Sequence, residues 1–323
     1  MKVLVTGAGG FVGEHLIRFL LHCNHEVVAI GINNGAFLKA MHIKTHIVNI
    51  LDSDVLNEVM KEEVPDAVIH LAAISNVPVS WQKPGLTVDV NIHGALNVLQ
   101  AFYAANPQGR FINIGSSDEY GLTAKAGIPL TEEMPCKPQN PYSISKYSAE
   151  QMICQFGKKY GMNVISTRSF NQYGPGQAKG FVIADFASQI AAIECGQSVP
   201  VINVGDISAA RDFTYVDDVV KAYAALLESN VDGGIYNVCS GNAVSIRNVL
   251  HDMLSMAECE IQIAVDENKF RPAEVKCFIG DNTKINKATG WVPIHEYEAG
   301  LQNVLIYWRG VYRGVRDVEK NII

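Results

Sequence analysis

The chain has 323 residues, 48% hydrophobic and 18% charged, which describes a globular protein with room for a sizeable core and excludes a disordered one. Lys and Arg number 26 against 33 Asp and Glu, a net charge of −7. That balance argues against a broad nucleic-acid or anionic-membrane surface, while leaving room for a local cationic pocket.

No apolar run is long enough to span a bilayer, and the first residues enter an apolar strand directly, without a leader-like segment. The seven cysteines show no CxxC spacing and the nine histidines no HExxH. They read as reduced thiols of a cytoplasmic protein with no metal site.

Taken in order, apolar strand-like runs alternate with helix-like stretches. Residues 2–6 read as a strand, 11–23 as a helix, 26–32 and 45–50 as strands, and 55–63 as a helix. Then come a strand at 66–73, a long helix at 85–105, a strand at 110–117, a second long helix at 142–160 and a strand at 162–170. Continuous apolar strands alternating with helices imply a parallel sheet covered on both faces, an α/β fold.

Between the first strand and first helix lies TGAGGFVG at 6–13. Gly7 allows a tight turn, Gly10 lets backbone approach a pyrophosphate, and Gly13 lets helix meet strand closely. The phosphates would rest on the free N–H groups of the helix start, so the loop predicts a bound dinucleotide. At the end of the second strand, where an acid would select NAD, the chain carries Asn33. Asparagine neither repels nor attracts a 2′-phosphate, and the choice between NAD and NADP stays open.

Residues 141–150 read PYSISKYSAE. Pro141 suits a first helical turn, and Tyr142 and Lys146, four apart, share a helix face. Such a pair is often no more than a solvated surface contact. Beside a dinucleotide, however, an ammonium next to a phenol favours the phenolate and makes the group useful for proton transfer.

With GSSDEYG at 115–121, HLAA at 70–73, Asn91 in VNIHGALNVL and the glycine loop, the chain resembles the extended short-chain dehydrogenase/reductase family that works on nucleotide sugars. The resemblance implies a Rossmann-type doubly wound sheet over 1–170, with later returns near 212–240, and a smaller mixed α/β substrate lobe over 171–323. It implies a triad in which Ser116 orients the substrate oxygen, Tyr142 transfers the proton, and Lys146 lowers the tyrosine pKa and holds the nicotinamide ribose. It extends the NAD(P) contacts to Phe11, Val12, Asn49, Ile50, Leu71, Ala72 and Ala73. The helices 85–105 and 142–160 are those through which this family forms homodimers.

Asp118 stands where the family's dehydratases carry a carboxylate base, usually Glu, and is one methylene shorter. The DEYG form is more similar to the branch that reduces GDP-4-keto-6-deoxymannose. So is RDFTYVDD at 211–218. Asp118 is therefore expected among the catalytic residues, with Ser117 and Glu119 touching the sugar; the plainer alternative for Glu119 is a solvated loop acid. Asn171 in RSFNQYGPGQ resembles a contact to the substrate diphosphate. Arg211 and Arg271 are guanidiniums in an acidic chain, suited to phosphate. The expected reaction is reduction of the C4 ketone of GDP-4-keto-6-deoxy-D-mannose by NAD(P)H. A 4,6-dehydratase or 4-epimerase with tightly held NAD is the alternative.

Overall fold

Alternate residues of the first strand, β1 (Lys2–Thr6), enter two different cores: Val3 and Val5 one, Leu4 the other. The same alternation runs through β2 (Glu26–Gly31), β4 (Ala67–His70) and β5 (Arg110–Ser116), where Ala29, Ile69 and Ile112 face one way and Val28, Val68 and Phe111 the other. A strand whose two faces are both apolar must be covered on both sides. On one side lie α1 (Phe11–His22) and α9 (Val216–Glu228), through Leu16, Leu20, Val219 and Tyr223. On the other lie α3 (Ser53–Glu63), α6 (Ala95–Ala105) and α7 (Pro141–Tyr160), through Leu56, Phe102 and Ile153.

The computed structural model describes residues 1–266 and 275–314. Its main sheet has seven strands in the order β10-β6-β5-β4-β1-β2-β3, with β3 (Lys44–Ile47), β6 (Asn163–Ser169) and β10 (Gly234–Val238) completing it. Every neighbouring pair is parallel. The strand order reverses between β1 and β4, and in such sheets ligands bind at the carboxyl ends of the strands beside that point.

The long helix expected at 85–105 is not regular. A short helix α4 (Val77–Gln82) precedes α5 (Pro84–Val88), which runs through a π-helical turn at Asp89–Gly94 into α6. Gly94 in that turn lies against Ile50, so close that a Cβ would fall 2.5 Å from its Cδ1. Two further short helices complete the sheet-bearing half and its edge, α2 (Ala36–Ala40) and α11 (Thr283–Thr289).

The rest of the chain builds a second, smaller layer. The strands β7 (Asn171–Tyr173), β11 (Ala243–Ser245) and β13 (Cys277–Phe278) all pair with β9 (Ala210–Tyr215), and β8 (Val201–Val204) pairs with β12 (Gln262–Val265). Against them pack α8 (Val182–Glu194), α10 (Ile246–Ser255) and α12 (Tyr297–Arg313), around Phe186, Ile190, Leu250, Leu301 and Trp308. The stretch 211–227 divides at Tyr215: its first residues belong to this layer, and α9 covers the large sheet.

Candidate active site

Ser116 is the last residue of β5, while Tyr142 and Lys146 occupy the first two turns of α7. The start of α7 is fixed by a reciprocal cap. The Ser143 amide donates to the Asn140 side chain at 2.8 Å, and the Asn140 amide donates to the Ser143 hydroxyl at 3.2 Å. With Pro141 in the first turn, this satisfies amides that a helix start leaves free.

The π-turn supplies a second clamp. The Asn91 side chain accepts from the Ile74 amide at 2.8 Å and donates to the Ile74 carbonyl at 3.1 Å and the Ser145 hydroxyl at 2.9 Å. Ser145 in turn donates to the Tyr142 carbonyl at 2.7 Å. The loop that follows β4 and the start of α7 are thus joined through one buried amide, at a π-turn of the kind often found at functional sites.

Burial raises the Tyr142 phenol above its ordinary value, and the nearby Asp118 charge adds to the rise, while a side-chain hydrogen bond with Ser116 opposes it. The Lys146 ammonium is buried and donates to the Ile114 carbonyl at 2.6 Å, and burial lowers its own pKa to about 8. Burial of the phenol thus works against its ionisation.

Asp118 is half-buried, and burial raises its pKa while the charge of Arg211 on β9 lowers it. Arg211 donates to the carbonyls of Ala210 at 2.8 Å and Val275 at 3.3 Å. Ser117 is buried. Asn171, at the start of β7, is exposed, and Arg271 lies outside the described residues.

Glu119 corrects the sequence reading twice over. It is neither a solvated acid nor a residue turned to a sugar. It is fully buried, and its Oε1 accepts the Ser116 amide at 2.8 Å. Ser116 and Glu119 form a capping box for the 3₁₀ turn Ser117–Tyr120. The S-x-x-E spacing was the signal that could have revealed it.

The glycine loop meets α1 as the pattern predicts. Gly7 has φ +68°, and a Cβ there would lie 2.7 Å from the Ala72 amide nitrogen. At Gly13 a Cβ would lie 2.6 Å from the Ala8 carbonyl oxygen. Gly10 caps α1 without a side chain and is exposed, as is Gly9, so bare backbone meets solvent at the helix start. Phe11 and Val12 are half-buried beside it.

The neighbouring edge is set by Thr6, whose hydroxyl takes the Ala72 amide at 3.2 Å and bonds His70 Nδ1 at 2.8 Å. Leu71, Ala72 and Ala73 come next, half-buried. Exposed Asn33 borders the loop, its Oδ1 lying 3.7 Å from where a Cβ of Gly9 would be. Asn49 is exposed and Ile50 buried against Gly94. These groups fit a dinucleotide: a bare helix start for the diphosphate, neutral amides where an acid would bar a 2′-phosphate, and apolar walls.

A cavity of about 990 Å³ lies between Asn76 and Pro78 on the sheet side and α8 and β8 of the second layer. Lys179, Asp185, Gln189 and Tyr312 supply polar groups to its lining. Ser117, Asn171 and Arg211 do not line it. Asp185 and Gln189, four apart on a mostly apolar helix, were the sequence signal for it.

Among the described residues His46, Glu62 and Glu63 bring possible metal-ligand atoms within 4.8 Å of one another. Lys44 pairs with both carboxylates and Lys2 with Glu63, so the cluster is an ion-pair network. No helix among the described residues is long and apolar enough to cross a membrane.

The family model described as GDP-mannose 4,6 dehydratase matches residues 4–304. The chain belongs to this family, in the nucleotide-sugar branch of the extended short-chain dehydrogenases/reductases. Within the family it is 36% identical to the GDP-6-deoxy-D-mannose reductase of Pseudomonas aeruginosa, over 97% of this chain and 98% of that one. A P. aeruginosa structure described as RMD complexed with NADPH superposes with a TM-score of 0.86 at 37% identity, covering 96% of this chain and 99% of the other. The UDP-glucose 4-epimerase of Thermus thermophilus, in complex with NAD, gives 0.85 at 29% identity, with 96% and 99% covered.

Proposed function

We propose that the protein reduces the C4 ketone of GDP-4-keto-6-deoxy-D-mannose to GDP-D-rhamnose, with NAD(P)H as reductant. The carrying observation is the likeness to GDP-6-deoxy-D-mannose reductase over nearly the whole of both chains. The Ser116, Tyr142 and Lys146 side chains at the ends of β5 and α7 support it.

When bound, the reduced nicotinamide supplies the hydride to C4. The chain's task is to receive the charge that then develops on oxygen. Ser116 accepts the Asp118 amide at 3.2 Å through its oxygen, and its hydroxyl proton, directed at the Tyr142 oxygen, turns to the substrate oxygen when that is bound. Tyr142 gives the proton. A phenol held protonated by burial is loaded for this direction, and a sugar alkoxide is the stronger base that takes the proton from it.

Lys146, anchored on Ile114, holds the nicotinamide ribose, and Asp118 orients the sugar. The loop at Gly7, Gly10 and Gly13, with Phe11, Val12, Asn33, Asn49, Ile50 and Leu71 to Ala73, holds the dinucleotide. Arg211 and Arg271, with Asn171, neutralise the substrate diphosphate, Ser117 supports the sugar end, and the 990 Å³ cavity receives the nucleoside. On this reading residues 1–170 with 212–240 form the dinucleotide lobe, and most of the remainder forms the substrate lobe.

The protein works in the cytoplasm as a homodimer, without nucleic acid or membrane. Its partner face is the outer side of 85–105 and 142–160, where Leu86, Val88, Ile144, Met152 and Tyr160 are exposed.

The test is NADPH and NADH oxidation against a panel of 4-keto-6-deoxy nucleotide sugars. One reduced cofactor should be consumed per GDP-sugar reduced. Failure with the GDP compound alongside turnover of another would overturn the substrate. Conversion of a GDP-hexose without net consumption of reduced cofactor would mean a dehydratase or epimerase.

A further inference from the structure

Tyr142, Lys146 and Glu150 stand at successive turns of one face of α7. The first two belong to the proposed chemistry; Glu150 does not. It is fully buried and makes a two-pronged ion pair with Arg168 of β6, Nε to Oε2 at 2.9 Å and Nη2 to Oε1 at 2.7 Å. Arg168 is itself buried and lies over the Tyr120 ring, 4.8 Å from its centroid.

Glu119 enters the same enclosure from the other side. Its Oε2 is 3.7 Å from Arg168 Nε, beyond a hydrogen bond, and buried without a hydrogen-bond partner. Two carboxyls therefore face one guanidinium whose best donors are already spent on Glu150.

With both acids ionised, two buried carboxylates would crowd one guanidinium, the Lys146 ammonium being turned to the Ile114 carbonyl. A proton on Glu119 relieves that repulsion. Oε1 already accepts the Ser116 amide, so that proton belongs on Oε2, facing Glu150. We propose that Glu119 is a positioning residue, held as a neutral carboxylic acid between Arg168 and Glu150, that fixes Ser116 for the reduction.

The proposal rests on the functional reading above. It assigns Glu119 two effects: it locks the backbone of Ser116, and it keeps negative charge away from the place where the substrate oxygen becomes negative. Burial and the Glu150 charge both push the Glu119 carboxyl well above its ordinary range, whereas Arg168 and the Ser116 amide pull it down. The groups bearing on it are Arg168 from β6, Glu150, Lys146, Tyr147 and Cys154 from α7, Tyr142 at the head of that helix, and Cys136 in the segment before it.

Two variants and a spectrum test it. Glu119→Leu removes the acceptor for the Ser116 amide and should lower kcat about 10- to 100-fold, as small displacements of a reacting group do, with the KM for NADPH changed less than about twofold. Glu119→Gln keeps an acceptor for Ser116 and a donor for Glu150 without charge, and should recover kcat to within about threefold of wild type. Infrared spectra of the wild-type protein at pH 7 should contain a protonated-carboxyl C=O band that Glu119→Gln lacks.

Absence of that band, a Gln variant as impaired as the Leu variant, or a folded Leu variant with wild-type kcat would each overturn the proposal. If the Leu variant does not fold, the Gln variant and the band decide. A wild-type protein that reduces no GDP-sugar sinks the functional reading instead, and the band still reports the protonation of Glu119.

Discussion

Lys146 hands its ammonium to the carbonyl of Ile114 at 2.6 Å, two residues ahead of Ser116 on the same strand. The helix that carries the phenol is thereby tied to the strand that carries the serine. The cost is a buried cation. Its folded pKa of about 8 lies below the 10.5 of a free lysine, so between those values the unfolded chain binds the extra proton. Stability should therefore rise with pH across that window, by up to about 1.4 kcal/mol per pH unit for one proton. Urea unfolding at pH 8, 9 and 10 measures it, and Lys146→Met should flatten the slope by one proton. An unchanged slope would mean that the ammonium is better solvated than its burial implies.

Tyr142→Phe keeps the ring and removes the transferable proton. Turnover should fall about 10²- to 10⁴-fold, the usual range for a lost acid, with NADPH affinity unchanged within about twofold. Stopped-flow kinetics and fluorescence titration separate the two quantities. A variant retaining a tenth of wild-type kcat would move the acid's role elsewhere.

His70 is buried, and burial drives its pKa down to about 3, with the Lys146 charge contributing. The folded state thus resists protonation that the unfolded chain accepts below about 6.5. Stability should be fully present above that pH and decline as pH falls from 6.5 toward 3, by up to about 1.4 kcal/mol per pH unit. His70→Asn removes the titrating ring from the Thr6 contact. Its acid transition should be shallower by one proton, as read from unfolding midpoints between pH 4 and 7.

Gly13→Ala places a methyl 2.6 Å from the Ala8 carbonyl oxygen and 2.7 Å from that of Gly7. Backbone on both sides cannot yield cheaply, so the variant should lose about 1–3 kcal/mol of stability. The shift of α1 away from the loop should also weaken NADPH binding. Calorimetry and titration test both, and an unaltered melting temperature would contradict the close approach.

The dinucleotide loop was legible because Gly7, Gly10 and Gly13 act locally, each through its own missing side chain. The parallel sheet was legible because strands such as Val68–Ile69 are apolar on both faces. Glu119 was misread for a different reason. Its counter-charge, Arg168, is 49 residues away and reaches it only once β5 and β6 pair, Gly115 opposite Arg168. The π-turn was hidden because one added residue blurs a helical period without breaking it. The shift of Tyr142 also depends on long-range burial, which the spacing of Tyr142 and Lys146 cannot reveal.

The wide turn at Asp89–Gly94 joins two half-helices with different main neighbours, α5 docking on α7 and α6 chiefly on α3. Each residue of a helix rotates its successor by about 100°, so the surplus one sets the angle between the two docking faces. Excising a single residue would straighten the rod and swing either Asn91 or Phe102 away from its neighbour. Insertions and deletions should therefore be barred from this segment.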